Sequence, residues 1–271
     1  MDPVALGAGL ALASAGLHAA WNLRLKASDD PLRAAAQAIP AVTLLATPLI
    51  AVAWWLNGRP LLPLGGWLLA LGSGGLELVY FTLLSRAYQR GEISSVYPIA
   101  RGTAPLLAVL VGVALFAERL LPLQWLGVGA LLVGVWLARP VASGRASLLL
   151  PLAIGASIAA YSALDRLGVR TGPVWLYGWA AFAAMSLFLA PLGRGPRRPG
   201  AAAVGLLTIA AYSLVLIALS IAPLAVVAPA REAGVALVAG WGIFRLDERE
   251  RAAQKLIGSI AVVVGAFLLI A

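Results

Sequence analysis

Long apolar stretches, each roughly 20 residues, recur along the chain and alternate with short polar loops, and stretches of this length cross a bilayer as α-helices. Prolines such as Pro98, Pro105 and Pro229 interrupt some of them, which a membrane tolerates only where the freed carbonyl groups face protein or a wet cavity. The pattern predicts an all-α, polytopic membrane protein. Its ten transmembrane helices are expected near residues 3–23, 31–56, 64–87, 93–117, 121–138, 147–168, 173–192, 201–222, 224–245 and 254–271.

Composition supports this class and excludes others. Of the 271 residues, 62% are hydrophobic and 11% are charged, which is more apolar surface than a soluble domain of this length could bury. The net charge of +9 lies mainly in loops beside the spans, which suits anionic lipid and membrane topology better than nucleic acid. The chain has no cysteine and one histidine, so we expect no disulfide, no metal site and no cofactor.

The chain also repeats itself. A shift of 130 residues aligns VYPIARGTAPLL (96–107) with VVAPAREAGVAL (226–237) and places Arg101 on Arg231, while a shift of 140 places Lys26 on Arg166. We therefore expect two five-helix repeats in one membrane domain, residues 1–139 and 147–271, joined by a linker at 140–146. An odd number of spans per repeat gives the copies opposite orientations, an arrangement typical of secondary transporters with a substrate site between the repeats.

Glycines and positive charges refine this picture. Spans five and ten each carry two glycines seven residues apart, which predicts close-packed helix seams. Of the eighteen Arg and Lys residues in loops and at span ends, fourteen lie on the side of the loops that follow spans one, three, five, seven and nine. Because positive charge is retained in the cytoplasm, we expect a bacterial-type inner membrane protein with both termini on the outer face.

Two arginines lie deep inside spans. Arg101 lies about eight residues into span four, roughly 12 Å along the helix, and Arg231 enters span nine from the opposite face. Glu77 and Glu232 lie at similar depths, and intramembrane charges pair with one another or face water. A structural Arg101–Glu77 pair and contact of Arg101 with substrate are both open readings. Structural and substrate roles are also both open for Arg231 and Glu232.

Aromatic and small polar residues surround these charges. On helical spacing, His18, Trp21 and Asn22 share one face of span one, as Tyr161 and Asp165 do in span six. Any single aromatic residue is explained by packing alone. As a set they suit a zwitterion with a hydrophobic side chain, bound by Arg at its carboxylate, Glu at its ammonium and rings at its side chain. The candidate substrate-binding residues are Trp21, Tyr80, Tyr97, Arg101, Tyr161 and Arg231; the candidate coupling or polar-network residues are Glu77, Glu232, Asp165, His18 and Asn22.

Three segments resemble a known family. HAAWNLRLK (18–26), AYQRGEISSVYPIARGTAPLLAVLVGVALFAERL (87–120) and APAREAGVALVAGWGIFRLDERE (228–250) are similar to the EamA-type repeats of the drug/metabolite transporter superfamily. The most specific part is a proline-containing span that ends in Glu-Arg, at Glu118-Arg119 and Glu248-Arg249. The resemblance implies ten helices around a central cavity and export of small metabolites, with exporters of amino acids, including aromatic ones, as the nearest branch. It also implies cytoplasmic termini, opposite to the charge bias of this chain.

The sequence therefore favours a secondary or facilitative transporter that exports small amphiphilic metabolites by alternating access. It lacks a GxxxxGK[ST] loop, so we expect no ATP-driven step, and Glu77, with no charged neighbour in sequence, is the expected carrier of a coupling proton. Alternatives are a lipid or polyamine-type flippase or transporter, and an intramembrane enzyme, although no GxSxG or HExxH motif is present. The expected partners are a small-molecule substrate and the lipid bilayer, with no nucleic acid, for a monomer or homodimer.

Overall fold

A computed structural model describes residues 2–116, 121–138 and 146–270. Glu118, Arg119 and most of the predicted linker lie outside these ranges. The described chain forms α1 (Pro3–Lys26), α2 (Pro31–Leu56), α3 (Leu64–Arg90), α4 (Ile93–Phe116), α5 (Pro122–Leu137), α6 (Ala146–Gly168), α7 (Val174–Leu189), α8 (Ala201–Ile221), α9 (Leu224–Ala230), α10 (Val235–Arg245) and α11 (Ala252–Ile270). Short 3-10 helices occupy Ala190–Gly193 and Arg231–Gly234.

The helices have the length and polarity of membrane spans. Eight helical segments of the described chain are long and apolar enough to cross a bilayer; α4 has 24 residues and α5 is shorter at 16. Large apolar side chains point outward, for example Leu44, Leu49 and Leu56, each more than 70% exposed. The all-α, polytopic membrane class predicted from the sequence is confirmed.

Local sequence explains where the first two helices begin. Asp2 accepts a hydrogen bond from the amide of Val4, and Asp30 accepts one from the amide of Arg33. A proline follows each aspartate, where its fixed backbone angle suits the first helical turn and its missing amide hydrogen is not needed. Each Asp-Pro pair therefore sets the start of a helix.

The ninth span differs from the single helix expected at 224–245. α9 ends at Ala230, and the 3-10 helix Arg231–Gly234 separates it from α10. Pro229 cannot donate the hydrogen bond that a continuous α-helix needs at that point, and its ring crowds the preceding turn. A 3-10 segment within a span often marks a functional position, and this one carries Arg231 and Glu232.

The helices pack across the two halves of the chain. α1 packs on α8, α3 on α6, α2 on α7, and α5 on α11. Counted as spans, these are one with eight, three with six, two with seven and five with ten. Exchange of the two halves converts this pattern into itself, as expected for inverted repeats.

Equivalent cations make equivalent contacts in the two halves. Lys26, at the end of α1, donates to the carbonyl oxygens of Tyr88 and Gly91 at the end of α3, both at 2.7 Å. Arg166, near the end of α6, donates to the carbonyl oxygen of Leu219 near the end of α8. These are the two residues aligned by the shift of 140, and each binds the carboxyl end of the third helix of its own half. The two residues that the shift aligns therefore make equivalent contacts in the two halves of the chain.

The predicted glycine seams are confirmed. A β-carbon built on Gly127 would lie 2.9 Å from the carbonyl oxygen of Gly265, and one on Gly134 would lie 2.7 Å from that of Gly258. The four glycines thus form a single seam between α5 and α11. The backbones approach more closely than any side chain at these positions would allow.

Candidate functional site

Arg101 and Arg231 meet around Glu232 where α4 contacts the 3-10 segment. Nη1 of Arg101 lies 3.2 Å from Oε1 of Glu232, and Nε of Arg231 lies 3.9 Å from the same oxygen. All three residues are at most 3% exposed. Because Arg101 belongs to the first half and the other two to the second, the cluster lies between the halves. The expected alternative pairing of Arg101 with Glu77 is therefore not found, since Arg101 uses Glu232.

Hydroxyl groups add a contact to each of the two arginines. Nη2 of Arg101 donates to the hydroxyl of Tyr97 at 3.3 Å, and its guanidinium lies 5.3 Å from the ring centre of the same tyrosine, one turn earlier on α4. Nη2 of Arg231 lies 3.5 Å from the hydroxyl of Ser162 on α6. Ser162 was not among the candidates, although the shift of 140 places it on Asn22.

A row of aromatic rings runs from α1 through α3 to α6. The ring centres are 5.7 Å apart for Trp21 and Phe81, 5.1 Å for Phe81 and Tyr80, and 5.9 Å for Tyr80 and Tyr161. Most of these pairs meet edge to face or at a tilt, which is a favourable geometry for aromatic rings. Trp21, Tyr80 and Tyr161 are thus brought together as expected, with Phe81 as an additional member.

Asp165 is fully bound by hydroxyl groups of three other helices. Its carboxylate accepts hydrogen bonds from Ser73 on α3 at 2.7 Å, Tyr177 on α7 at 3.0 Å and Tyr212 on α8 at 2.8 Å. These partners were not predicted, because nothing in the spacing of isolated hydroxyl residues indicates a common acceptor. This network ties α6 to three neighbours, which favours a structural role for Asp165.

Asn22 is also held on both sides. Its amide nitrogen donates to the carbonyl oxygen of His18 at 2.8 Å, and its oxygen accepts from the hydroxyl of Tyr88 at 2.7 Å. Tyr88 was missed because the third span was expected to end at residue 87, whereas α3 continues to Arg90. The Asn22–Tyr88 contact joins α1 to α3.

Glu77 and His18 keep polar atoms without partners. Within the described ranges, Glu77 is buried and makes no hydrogen bond or ion pair, while Asp165 and Arg231 act on it electrostatically. His18 accepts a hydrogen bond at Nδ1 from the indole nitrogen of Trp21 at 2.9 Å, and its buried Nε2 has no partner among the described residues. Asp165 and Asn22, in contrast, have hydrogen-bond partners for their side chains.

All the candidate residues are buried, so the structure brings them into the interior and closes the charged cluster to solvent. A cavity of about 280 Å³ lies elsewhere, between α2, α7 and α8, and its walls include Thr43, Trp175, Trp179 and Phe182 but none of the candidates. Phe182 packs edge to face on Tyr212 at 5.2 Å. The rings of Phe182 and Tyr212 therefore link the wall of this lateral cavity to Asp165.

Comparison with known proteins supports the transporter assignment. Residues 5–139 match the EamA-like transporter family. One solved crystal structure of another protein has a TM-score of 0.65 at 18% sequence identity, covering 97% of this chain and 98% of its own, a likeness of fold. No curated protein matches the chain. Residues 5–139, just under half of this multi-pass chain, thus resemble an EamA-like transporter domain.

Proposed function

We propose that the chain is a secondary transporter that exports small amphiphilic metabolites, with amino acids, including aromatic ones, as the preferred substrates. The observation that carries this proposal is the buried cluster of Arg101, Glu232 and Arg231 between the two halves. Charges inside a membrane are costly and mark the path of a polar substrate or ion. This cluster joins residues from both halves, as a transport site between inverted repeats does.

The chemistry of the cluster suits a zwitterion. A guanidinium group binds a carboxylate strongly, and Glu232 offers a carboxylate for an ammonium group. The neighbouring rings of Trp21, Tyr80 and Tyr161 offer an apolar surface for a substrate side chain. An amino acid with a hydrophobic side chain satisfies all three features at once.

Alternating access follows from the position of the ion pair. In the closed cluster, Arg101 and Glu232 neutralise each other across the interface between the halves. A zwitterionic substrate supplies the same two charges, so it can replace this contact while the halves separate on one side of the membrane. Arg101 then exchanges the carboxylate of Glu232 for that of the substrate, and Glu232 exchanges the guanidinium group for the substrate's ammonium group, so neither charge is left unpaired.

Transport by purified protein in proteoliposomes tests the proposal. Wild type should move radiolabelled phenylalanine across the membrane, and the double variant Arg101→Gln/Glu232→Gln should not. The double change removes one buried charge of each sign, so the net charge of the cluster stays the same, and thermal stability should show that the protein still folds. Arg24→Gln, which removes an exposed arginine from the end of α1, is the matched control. Unimpaired transport by the double variant would show that the cluster is not the substrate site.

The lateral cavity favours a second candidate, a lipid flippase. Thr43, Trp175 and Trp179 line a space between membrane-spanning helices, where an acyl chain is the abundant neighbour. The same proteoliposomes, loaded with fluorescent phospholipid, distinguish the two functions. Lipid scrambling without amino-acid transport would replace the exporter proposal.

A further inference from the structure

We infer that three atoms bind the charged groups of the substrate: His18 Nε2 and Arg231 Nε donate to a carboxylate, and Glu232 Oε2 accepts from an ammonium group. This inference rests on the proposed function and deepens it. It assigns the substrate class as an α-amino acid with both groups unmodified, and it makes His18 a specificity-determining residue.

The three atoms share one property. Each is a buried side-chain polar atom without a hydrogen-bond partner in the described part of the chain. Buried polar groups are nearly always paired, because an unpaired donor or acceptor forgoes the hydrogen bonds that water would supply. The two nitrogens and the carboxylate oxygen lie on α1 and on the 3-10 segment that contacts it, and they lack hydrogen bonds that a ligand with both an anionic and a cationic group would supply.

The hydrogen bond from Trp21 fixes the chemical form of His18. An indole nitrogen only donates, so Nδ1 of His18 must accept and carries no proton. The neutral imidazole then has its single proton on Nε2, which makes this unpartnered atom a donor. The contact between Trp21 and His18 thus aims one N–H group at an acceptor supplied by something other than the described protein atoms.

Packing brings His18 close to the 3-10 segment. Gly234 packs against α1 so tightly that a β-carbon there would lie 2.8 Å from the carbonyl oxygen of Ala15, one turn before His18. Both Arg101 and Arg231 act on His18 electrostatically. A neutral donor beside two guanidinium groups is a favourable environment for a carboxylate.

Charge balance explains why the ligand carries both signs. Arg101 already uses Oε1 of Glu232, so a purely anionic ligand would leave Oε2 of the same carboxylate unpaired. A purely cationic ligand would leave Nε of Arg231 and Nε2 of His18 unpaired. A ligand with both groups satisfies all three atoms at once.

Three probes with the same aromatic ring separate these contacts. L-Phenylalanine has both charged groups, phenethylamine lacks the carboxylate, and 3-phenylpropionate lacks the ammonium. Binding to full-length protein in detergent should be tightest for phenylalanine. His18→Ala should weaken phenylalanine binding about tenfold or more, since it removes a hydrogen bond to a charged group, and should leave phenethylamine binding unchanged.

Two variants distinguish binding from structure. His18→Gln retains a donor and should restore part of the affinity for phenylalanine. Ser14→Ala, one turn earlier on α1, removes a buried hydroxyl that bonds only to its own helix, and should affect no probe. Glu232→Gln should weaken phenylalanine and phenethylamine binding while sparing 3-phenylpropionate.

The outcomes separate this inference from the proposed function. Equal weakening of phenylalanine and phenethylamine by His18→Ala would show a structural role for His18 and overturn the inference. Transport of other amphiphilic compounds without phenylalanine binding would overturn it while the exporter proposal stands. Failure of wild type to bind or transport any probe or metabolite would overturn both.

Discussion

At the scale of single residues, the buried charges differ in how completely the protein satisfies them. Asp165 accepts hydrogen bonds from Ser73, Tyr177 and Tyr212, and Arg101 is paired with Glu232. Glu77 has neither kind of contact among the described residues. A carboxyl group with no fixed partner can gain or lose a proton without breaking a network, so we expect Glu77 to carry a coupling proton.

We therefore predict that Glu77→Gln abolishes accumulation of substrate driven by a pH gradient. Glutamine has nearly the same shape but does not exchange a proton, and Glu77 has no ion pair to lose, so folding should be preserved. Exchange of internal for external substrate should continue, since it needs no net proton movement. Both activities are measured in proteoliposomes, with Asp29→Asn in an exposed loop as the control. An unchanged response to the gradient would favour facilitated diffusion.

Charges in apolar spans are visible in a sequence, but their partners are not. Arg101 and Arg231 stand out in the sequence because lone charges are rare in membrane spans. Their depth in the membrane followed from their position along each span. Glu77 and Glu232 lie at similar depths, so depth could not decide which of them pairs with Arg101. That choice depends on how the 3-10 segment after Pro229 turns Glu232 towards α4, which is a property of the tertiary structure.

At the scale of helices, glycine positions decide how closely two spans approach. We predict that Gly134→Ala lowers the free energy of unfolding by about 1–3 kcal/mol, the usual cost of overpacking, because its β-carbon would lie 2.7 Å from the carbonyl oxygen of Gly258. Gly129→Ala on the same helix has no atom within 4 Å of its β-carbon and should be neutral or slightly stabilising. Thermal unfolding in detergent compares the two. Equal stability would show that the seam is not under steric constraint.

The start of α4 is held by hydrogen bonds and an ion pair from the region of α10 and α11. Glu248, after α10, accepts hydrogen bonds from the amides of Ile93 and Ser94 at 2.9 and 2.8 Å, and so caps the start of α4. Lys255 on α11 forms an ion pair with Glu92 just before α4. The shift of 130 places Glu92 on Ala222, which is uncharged. The second half of the chain therefore has no counterpart of the Glu92–Lys255 ion pair at this position. The pair holds α4 to α11 on one side of the membrane only, and so favours closure of the protein on that side.

We predict that Glu92→Gln loosens this end. Lys255 would remain buried without its carboxylate, and separation of α4 from α11 would let it reach water. The chain has no cysteine, so Ser95→Cys, at a buried position on α4, is a clean reporter. Its labelling by a soluble maleimide should become faster in Glu92→Gln and stay slow in Glu250→Gln, which alters an exposed loop. Equal labelling rates would contradict the prediction.

At the scale of the whole molecule, the packing of helices across the two halves of the chain agrees with the inverted repeat expected from the sequence. The all-α membrane class follows from hydropathy, and the α5–α11 seam follows from the spacing of glycines. The break within the ninth span was not predicted, because a proline inside a span indicates a kink but not the 3-10 segment that follows it. The burial of the Arg101–Glu232–Arg231 cluster could not be predicted from the sequence either, since it depends on which conformation the two halves adopt.

The orientation of the protein in the membrane is also a property of the whole molecule. We predict both termini outside the cytoplasm of a bacterial-type inner membrane, because fourteen of eighteen loop and span-end Arg and Lys residues lie on the opposite side. A C-terminal alkaline phosphatase fusion should be active and a C-terminal fluorescent protein dark. Phosphatase inserted within residues 194–200, the basic loop before α8, should be inactive. The reverse pattern would place the termini in the cytoplasm, and the end closed by Glu92 and Lys255 would then face outward.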